Sequence, residues 1–243
     1  MSYSRISTAE KAINRALLAC GMSKVADPYT STDPAVVQMC SLLNDCLDEL
    51  ASLREWPHLM QEHTITVALG DTGEYPFPDD YDRMVEQTAW SKTDAIPLGG
   101  PVSPQIWQQF KNSDFTSNFY IYFREEEDHF WTWPQPPQVG KVINFKYASR
   151  RFVLRIAGGG DYSDTAVAAG DVIRFDGLMV SRLLKLRFLE ARGFDTAAAE
   201  NQFNQIFDAR AGQSINAPIL NLAYRPTLRL ISVANIPESG YGK

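Results

Sequence analysis

Asp176-Gly177-Leu178-Met179-Val180-Ser181-Arg182-Leu183-Leu184-Lys185-Leu186-Arg187-Phe188-Leu189-Glu190-Ala191-Arg192-Gly193 decides the architecture. Met179, Leu183, Leu186 and Leu189 recur at steps of three and four, with Leu184 and Phe188 beside them, so one side of a helix is apolar. Arg182, Lys185, Arg187 and Arg192 give it basic charge, and Gly193 closes it. A second helix follows from about Ala197 to Ala211, with Phe203, Ile206 and Phe207 inward and Gly212 at its end. Two amphipathic helices alone bury too little surface to be stable, so they need cover from elsewhere in the chain.

The N-terminal 56 residues supply it. Ser7 and Glu10 have capping-box spacing, which starts a helix over Ala9 to Cys20 that stops at Gly21. Asp33-Pro34 starts a second helix, with an N-cap carboxylate and proline in the first position. Its buried face is Val36, Cys40, Leu43, Leu47 and Leu50, and its polar side carries Gln38, Asn44, Asp45, Asp48 and Glu49. It ends near Trp56-Pro57, because proline disfavours helical geometry in the residue before it.

Between the two helix pairs the period changes. Thr64 to Leu69 alternates as a strand does, and Gly70-Asp71-Thr72-Gly73 makes a turn. Residues 74–118, with seven prolines and glycines, read as irregular. Phe119 to Phe123, Phe130 to Trp133 and Val142 to Tyr147 are rich in aromatic and β-branched residues and predict three antiparallel strands, the first two joined by the turn Glu125-Glu126-Glu127-Asp128. The fold class is therefore α+β. Residues 1–60 and 176–213 form a helical bundle, 61–175 an inserted antiparallel β-rich module, and 214–243 an extended C-terminal arm. The arm has Pro218, Pro226 and Pro237, which cannot extend a helix. Its apolar residues, among them Leu220, Leu222, Tyr224, Leu228 and Leu230, are too numerous for a solvated tail.

Charge narrows the function classes. The formal net charge is −6 and the pI about 5.1, the reverse of a chain that grips nucleic acid through phosphates. Cys20, Cys40 and Cys46 have no metal or redox spacing and read as reduced, packed thiols. Met-Ser-Tyr-Ser-Arg at the start has no signal-peptide character, and no apolar run reaches the ~20 residues of a membrane span. The expectation is synthesis and folding in a cytoplasm, with no membrane partner.

Chemical motifs are few. Asp71-Thr72-Gly73 matches the tripeptide of aspartic proteases, but Gly70 and Glu74 flank it and a turn explains it. Glu125 to His129 reads as a solvated hairpin tip rather than a metal site. His58, His63 and His129 show no ligand spacing, and no nucleophile elbow occurs. Arg150, Arg151 and Arg155, with the basic helix, pair with acidic neighbours on this reading rather than with DNA. No catalytic, cofactor-binding or metal residue is assigned, and the chain reads as a structural protein rather than an enzyme.

The stretch Tyr75-Pro76-Phe77-Pro78-Asp79-Asp80-Tyr81-Asp82-Arg83-Met84 is similar to a Leu-Pro-x-Asp-Phe-x-Arg element of head-to-tail adaptors from short-tailed bacteriophages, the tail tubular protein A-like family. Gln87-Thr88-Ala89-Trp90 and Pro97 to Trp107 follow in that family's order. Trp133-Pro134-Gln135-Pro136-Pro137, the helix carrying Leu183 to Arg192, and Gly193-Phe194-Asp195 extend the resemblance over roughly residues 40–212. It implies a virion protein at the head-tail junction: a homo-oligomeric ring, usually of twelve copies, docked under the portal protein and continued by the tail nozzle, with tail fibres as a further partner. Genome DNA passes through without tight or specific binding. Tyr75, Phe77, Tyr81, Arg83, Trp90 and Trp107, with the arm's Leu220, Leu222, Tyr224, Leu228 and Leu230, are the expected contacts with subunits and partners. Two other readings stay open: another tail-tube or tail-completion ring protein, and a carbohydrate-binding or hydrolytic β module in which Trp107, Trp131 and Trp133 stack on sugars.

Overall fold

A computed structural model describes residues 6–112, 120–156 and 159–213; the expected C-terminal arm lies outside the described residues. In chain order, β1 (Ile6–Thr8), α1 (Ala9–Ala19), a single tight helical turn (Pro28–Thr30) and α2 (Pro34–Leu53) come first. Then come β2 (Met60–Thr66), β3 (Glu74–Pro76), β4 (Tyr81–Met84), β5 (Trp90–Ser91), β6 (Ile96–Pro97), α3 (Pro104–Asn112), β7 (Tyr122–Glu126), β8 (His129–Trp133) and β9 (Val142–Ser149). β10 (Val153–Arg155), β11 (Asp161–Ser163), β12 (Val172–Asp176), α4 (Gly177–Ala191) and α5 (Ala197–Gln213) complete the described chain. These elements fall into two compact units, one made by the described residues up to 60 and from 148 to 213, the other by those within 61–147.

In the first unit the N- and C-terminal helices pack together, as their apolar stripes require. α4 touches α1, α2 and α5. Ile13, Leu17, Leu43, Leu47, Leu50, Leu183 and Leu184 are fully buried in this core. Each such leucine contributes about 1.5–3 kcal/mol relative to an exposed one. The caps are local. Asp33 Oδ1 accepts from Ala35 N at 2.9 Å, and Asp176 Oδ1 accepts from Leu178 N and Met179 N at 2.9 and 3.2 Å. The expected capping box does not form. Ser7 lies in β1, paired with Ile173 of β12, and the cap is Thr8, whose hydroxyl accepts from Lys11 N. The last described helix, α5, runs from Ala197 to Gln213, one residue past the expected Gly212. The unit also holds an antiparallel sheet in the order β1-β12-β10-β11, which sends Val153, Ile173 and Phe175 into the same core. Residues 148–176 thus stand with the helices.

The second unit holds two sheets. One runs β2-β9-β5-β6, with β4 also paired to β9, and the other runs β3-β8-β7. Phe123, Phe130 and Phe145 stack in series in its core, with centroids 5.0 and 5.2 Å apart. The expected strands sit a few residues from their predicted bounds: β2 begins at Met60 rather than Thr64, and β7 at Tyr122. The acidic turn is tight, with Glu127 and Asp128 at φ +50° and +61°, the geometry of a two-residue hairpin loop. Within the segment expected to be irregular, α3 forms. Pro104 occupies its first position, and Ser103 Oγ accepts from Ile106 N at 3.4 Å. The glycine pair before it is also explained. A Cβ on Gly99 would lie 2.5 Å from the Tyr122 ring, and one on Gly100 would lie 2.6 Å from the Phe123 carbonyl oxygen. Backbone and β7 approach too closely there for any side chain.

Candidate functional site

The residues expected to make contacts separate by burial. Tyr75 is buried, and its hydroxyl donates to Asp71 Oδ2 at 3.3 Å. Trp107 is 1 % exposed and packs edge-on to Trp133 at 6.0 Å, so its indole holds α3 to the second unit's own core. It is therefore closed to a sugar as well as to a partner. Phe77 and Tyr81 are half-buried and stacked, with centroids 3.9 Å apart and planes 10° from parallel. The Tyr81 hydroxyl donates to Glu125 Oε2 at 2.7 Å, which ties the segment to the acidic hairpin tip. Arg83 pairs with Asp82 at 2.7 Å. Trp90 alone among the five tryptophans is exposed. Trp133, Pro134, Pro136 and Pro137 line a cleft of about 230 Å³ with Val67 and Ile143, which gives the proline-rich motif a place on the unit's surface.

The chemical motifs resolve into structure. Asp71 Oδ2 accepts from Ala68 N at 2.8 Å as well as from Tyr75, so this carboxylate closes a turn. Burial, with the Asp71 charge beside it, raises the Tyr75 phenol above its ordinary range. In the acidic run, Glu126 pairs with Arg124, and His129 takes the Glu127 carbonyl at 2.7 Å. Among the described residues, no group of three His, Cys, Asp or Glu is placed to hold a metal ion. The three cysteines are unpaired thiols, each with its pKa raised by burial.

Residues 6–227 match the model of a family described as SU10 adaptor protein. This chain belongs to the SU10 adaptor protein family. It is a phage head-to-tail adaptor, a structural component of the virion, as the ordered motifs from Tyr75 onward implied. Among curated proteins nothing matches it.

Several of the adaptor's described basic groups are engaged within the chain. Arg187 forks onto both carboxylate oxygens of Glu49, with Nε to Oε2 at 2.8 Å, and reaches Glu190 at 2.6 Å. These hydrogen bonds, Glu49 first, raise its already high pKa. Arg155 donates to the carbonyl and hydroxyl of Thr165, Arg182 donates to Gln202, and Arg192 lies over the Phe188 ring at 5.1 Å. Sequence reasoning missed two polar side chains that organise the adaptor's first unit. Asn14 exchanges two hydrogen bonds with the backbone of Val25, and Asn44 does the same with Ala166. The only sequence signal was an asparagine inside a helix, where its side chain competes with the backbone. Among the described residues, no helix of the adaptor is long and apolar enough to cross a membrane.

Proposed function

We propose that this adaptor works as a ring, of twelve copies in the family's usual form, set between the portal and the tail nozzle of a short-tailed phage. Genome DNA passes through its centre. The observation that carries this reading is the family match over residues 6–227. The physical chemistry supports it. A net charge of −6 disfavours phosphate binding, and the arginines that face acidic or polar partners are not available to DNA, so DNA slides without sticking. A closed ring needs two different patches on each subunit. The half-buried Phe77–Tyr81 stack with Arg83 serves as one of these patches, and Leu220, Leu222, Tyr224, Leu228 and Leu230 of the C-terminal segment reach the portal.

The test is assembly with purified portal. Alone, the adaptor is expected as a monomer or weak oligomer by mass measurement; with portal, imaging should show a closed ring. A stable isolated dimer with two-fold symmetry would refute the ring. A truncation ending at Gly212 tests the portal contact: it should melt as the full chain does yet fail to join portal. Normal assembly of the truncated protein would exclude the C-terminal segment from that contact.

A further inference from the structure

One recess on the second unit is not used by the ring reading. It encloses about 260 Å³ and is lined by Glu62, Gln87, Thr88, Trp90, Asn144 and Lys146 over Phe145. Trp90 of β5 and Asn144 of β9 are direct cross-strand partners, so both side chains leave the sheet on the same face. Asn144 Nδ2 donates to Glu62 Oε1 at 3.1 Å, which extends the row to β2. An indole, an amide and a carboxylate thus stand side by side across three neighbouring strands, while Ile143 and Phe145 of β9 fill the core on the other face.

Three observations mark this face as more than solvated sheet. Trp90 is 44 % exposed, and an indole costs more to leave in water than any other side chain of its surroundings. Asn144 Oδ1 is shielded from solvent and has no hydrogen-bond partner, although buried acceptors are nearly always satisfied. Gln87 holds φ at +60°, the left-handed region that side-chain-bearing residues avoid and that clusters at ligand sites.

We propose that this recess binds an uncharged oligosaccharide, with one pyranose ring stacked on Trp90 and its hydroxyls bonded to Asn144, Glu62 and Gln87. A pyranose offers an apolar C–H face and an edge of hydroxyls that both donate and accept. The recess offers the matching set: an aromatic platform, an acceptor in Glu62, and donors in Lys146 and the amides of Asn144 and Gln87. A second copy of the chain fits less well. The centre of a protein contact is depleted of charged groups, whereas here Glu62 and Lys146 flank the indole.

The experiment titrates the full chain with triacetylchitotriose and with maltotriose, by calorimetry and by following the tryptophan indole resonances. One of the two should bind saturably at millimolar concentration and shift the Trp90 resonance. Trp90→Ala should weaken binding by at least about tenfold, and Trp90→Phe by less. Asn144→Leu should weaken it as well, with the melting transition of each variant showing that the fold is kept. The proposal is overturned if neither trisaccharide moves the Trp90 signal, or if binding persists undiminished in Trp90→Ala. It is equally overturned if Trp90→Ala blocks joining to portal while no saccharide binds, since the face is then a protein contact. Ring formation is read in a separate assay, so either conclusion stands or falls without the other.

Discussion

Replacing His58 by phenylalanine should remove an acid sensitivity built into the helical unit. The His58 ring sits 5.9 Å from Trp56 and 5.5 Å from Phe175, and its Nε2 is buried with no hydrogen-bond partner. Arg174 adds a positive charge beside it and donates to the His58 carbonyl. Burial first, then that charge, hold its pKa at about 4 instead of 6.5. Above pH 6.5 the imidazole is neutral in both the folded and the unfolded chain and contributes no pH dependence. As pH falls from 6.5 towards 4, the unfolded chain takes up a proton that the folded ring refuses, so stability is lost. At about 1.36 kcal/mol per pH unit the full loss is about 3 kcal/mol, and at about pH 4.5 it is already about 2.5 kcal/mol. Phenylalanine keeps the aromatic contacts and gives up no hydrogen bond, so His58→Phe should lack this loss. The assay is denaturant unfolding of both proteins from about pH 7.5 to about pH 4.5, read as the difference between them, in which the titration of every carboxylate cancels. The variant should gain steadily on the wild type below pH 6.5. A constant separation across that window would refute the reasoning. Arg174→Met should reduce the effect only in part, because burial is the larger cause.

Gly100→Ala should destabilise the second unit by about 2 kcal/mol, since the added methyl meets the Phe123 carbonyl at 2.6 Å and backbone must move; a thermal melt checks it. Arg187→Ala and Glu49→Ala, with their double variant, should return a coupling of only about 1 kcal/mol, because both partners are about one-third exposed and solvent screens them. A coupling several times larger would mean that the pair is sealed from water. Asp71→Asn should cost less than about 1 kcal/mol, because asparagine keeps an acceptor for Ala68 N, and assembly into particles should be normal. Particles that assemble with that variant but fail to infect would give the aspartate a chemical role.

The helices were legible because their determinants are local. Asp33-Pro34 and Asp176-Gly177 carry their own caps, and the stripes Val36 to Leu50 and Met179 to Leu189 show which faces need cover. The family resemblance was legible for the same reason, in short ordered motifs from Tyr75 to Trp107. Burial of those same residues was not. Tyr75 and Trp107 look like contact anchors in a proline-rich stretch, and only the packing of α3 against Trp133 shows that the Trp107 indole is already spent on the core. Thr8 rather than Ser7 caps α1 because β1 pairs with β12, more than 160 residues further along the chain, and no local pattern announces such a partner. The row of Trp90, Asn144 and Glu62 arises in the same way. Each lies on a different strand, separated in sequence, and becomes part of one surface only when the register of β9 sets them side by side. Local sequence determined the elements and their apolar faces, because capping and periodicity act over a few residues. Strand register and close packing, which act between residues far apart in the chain, decided which side chains the core consumes and which it leaves for a ligand.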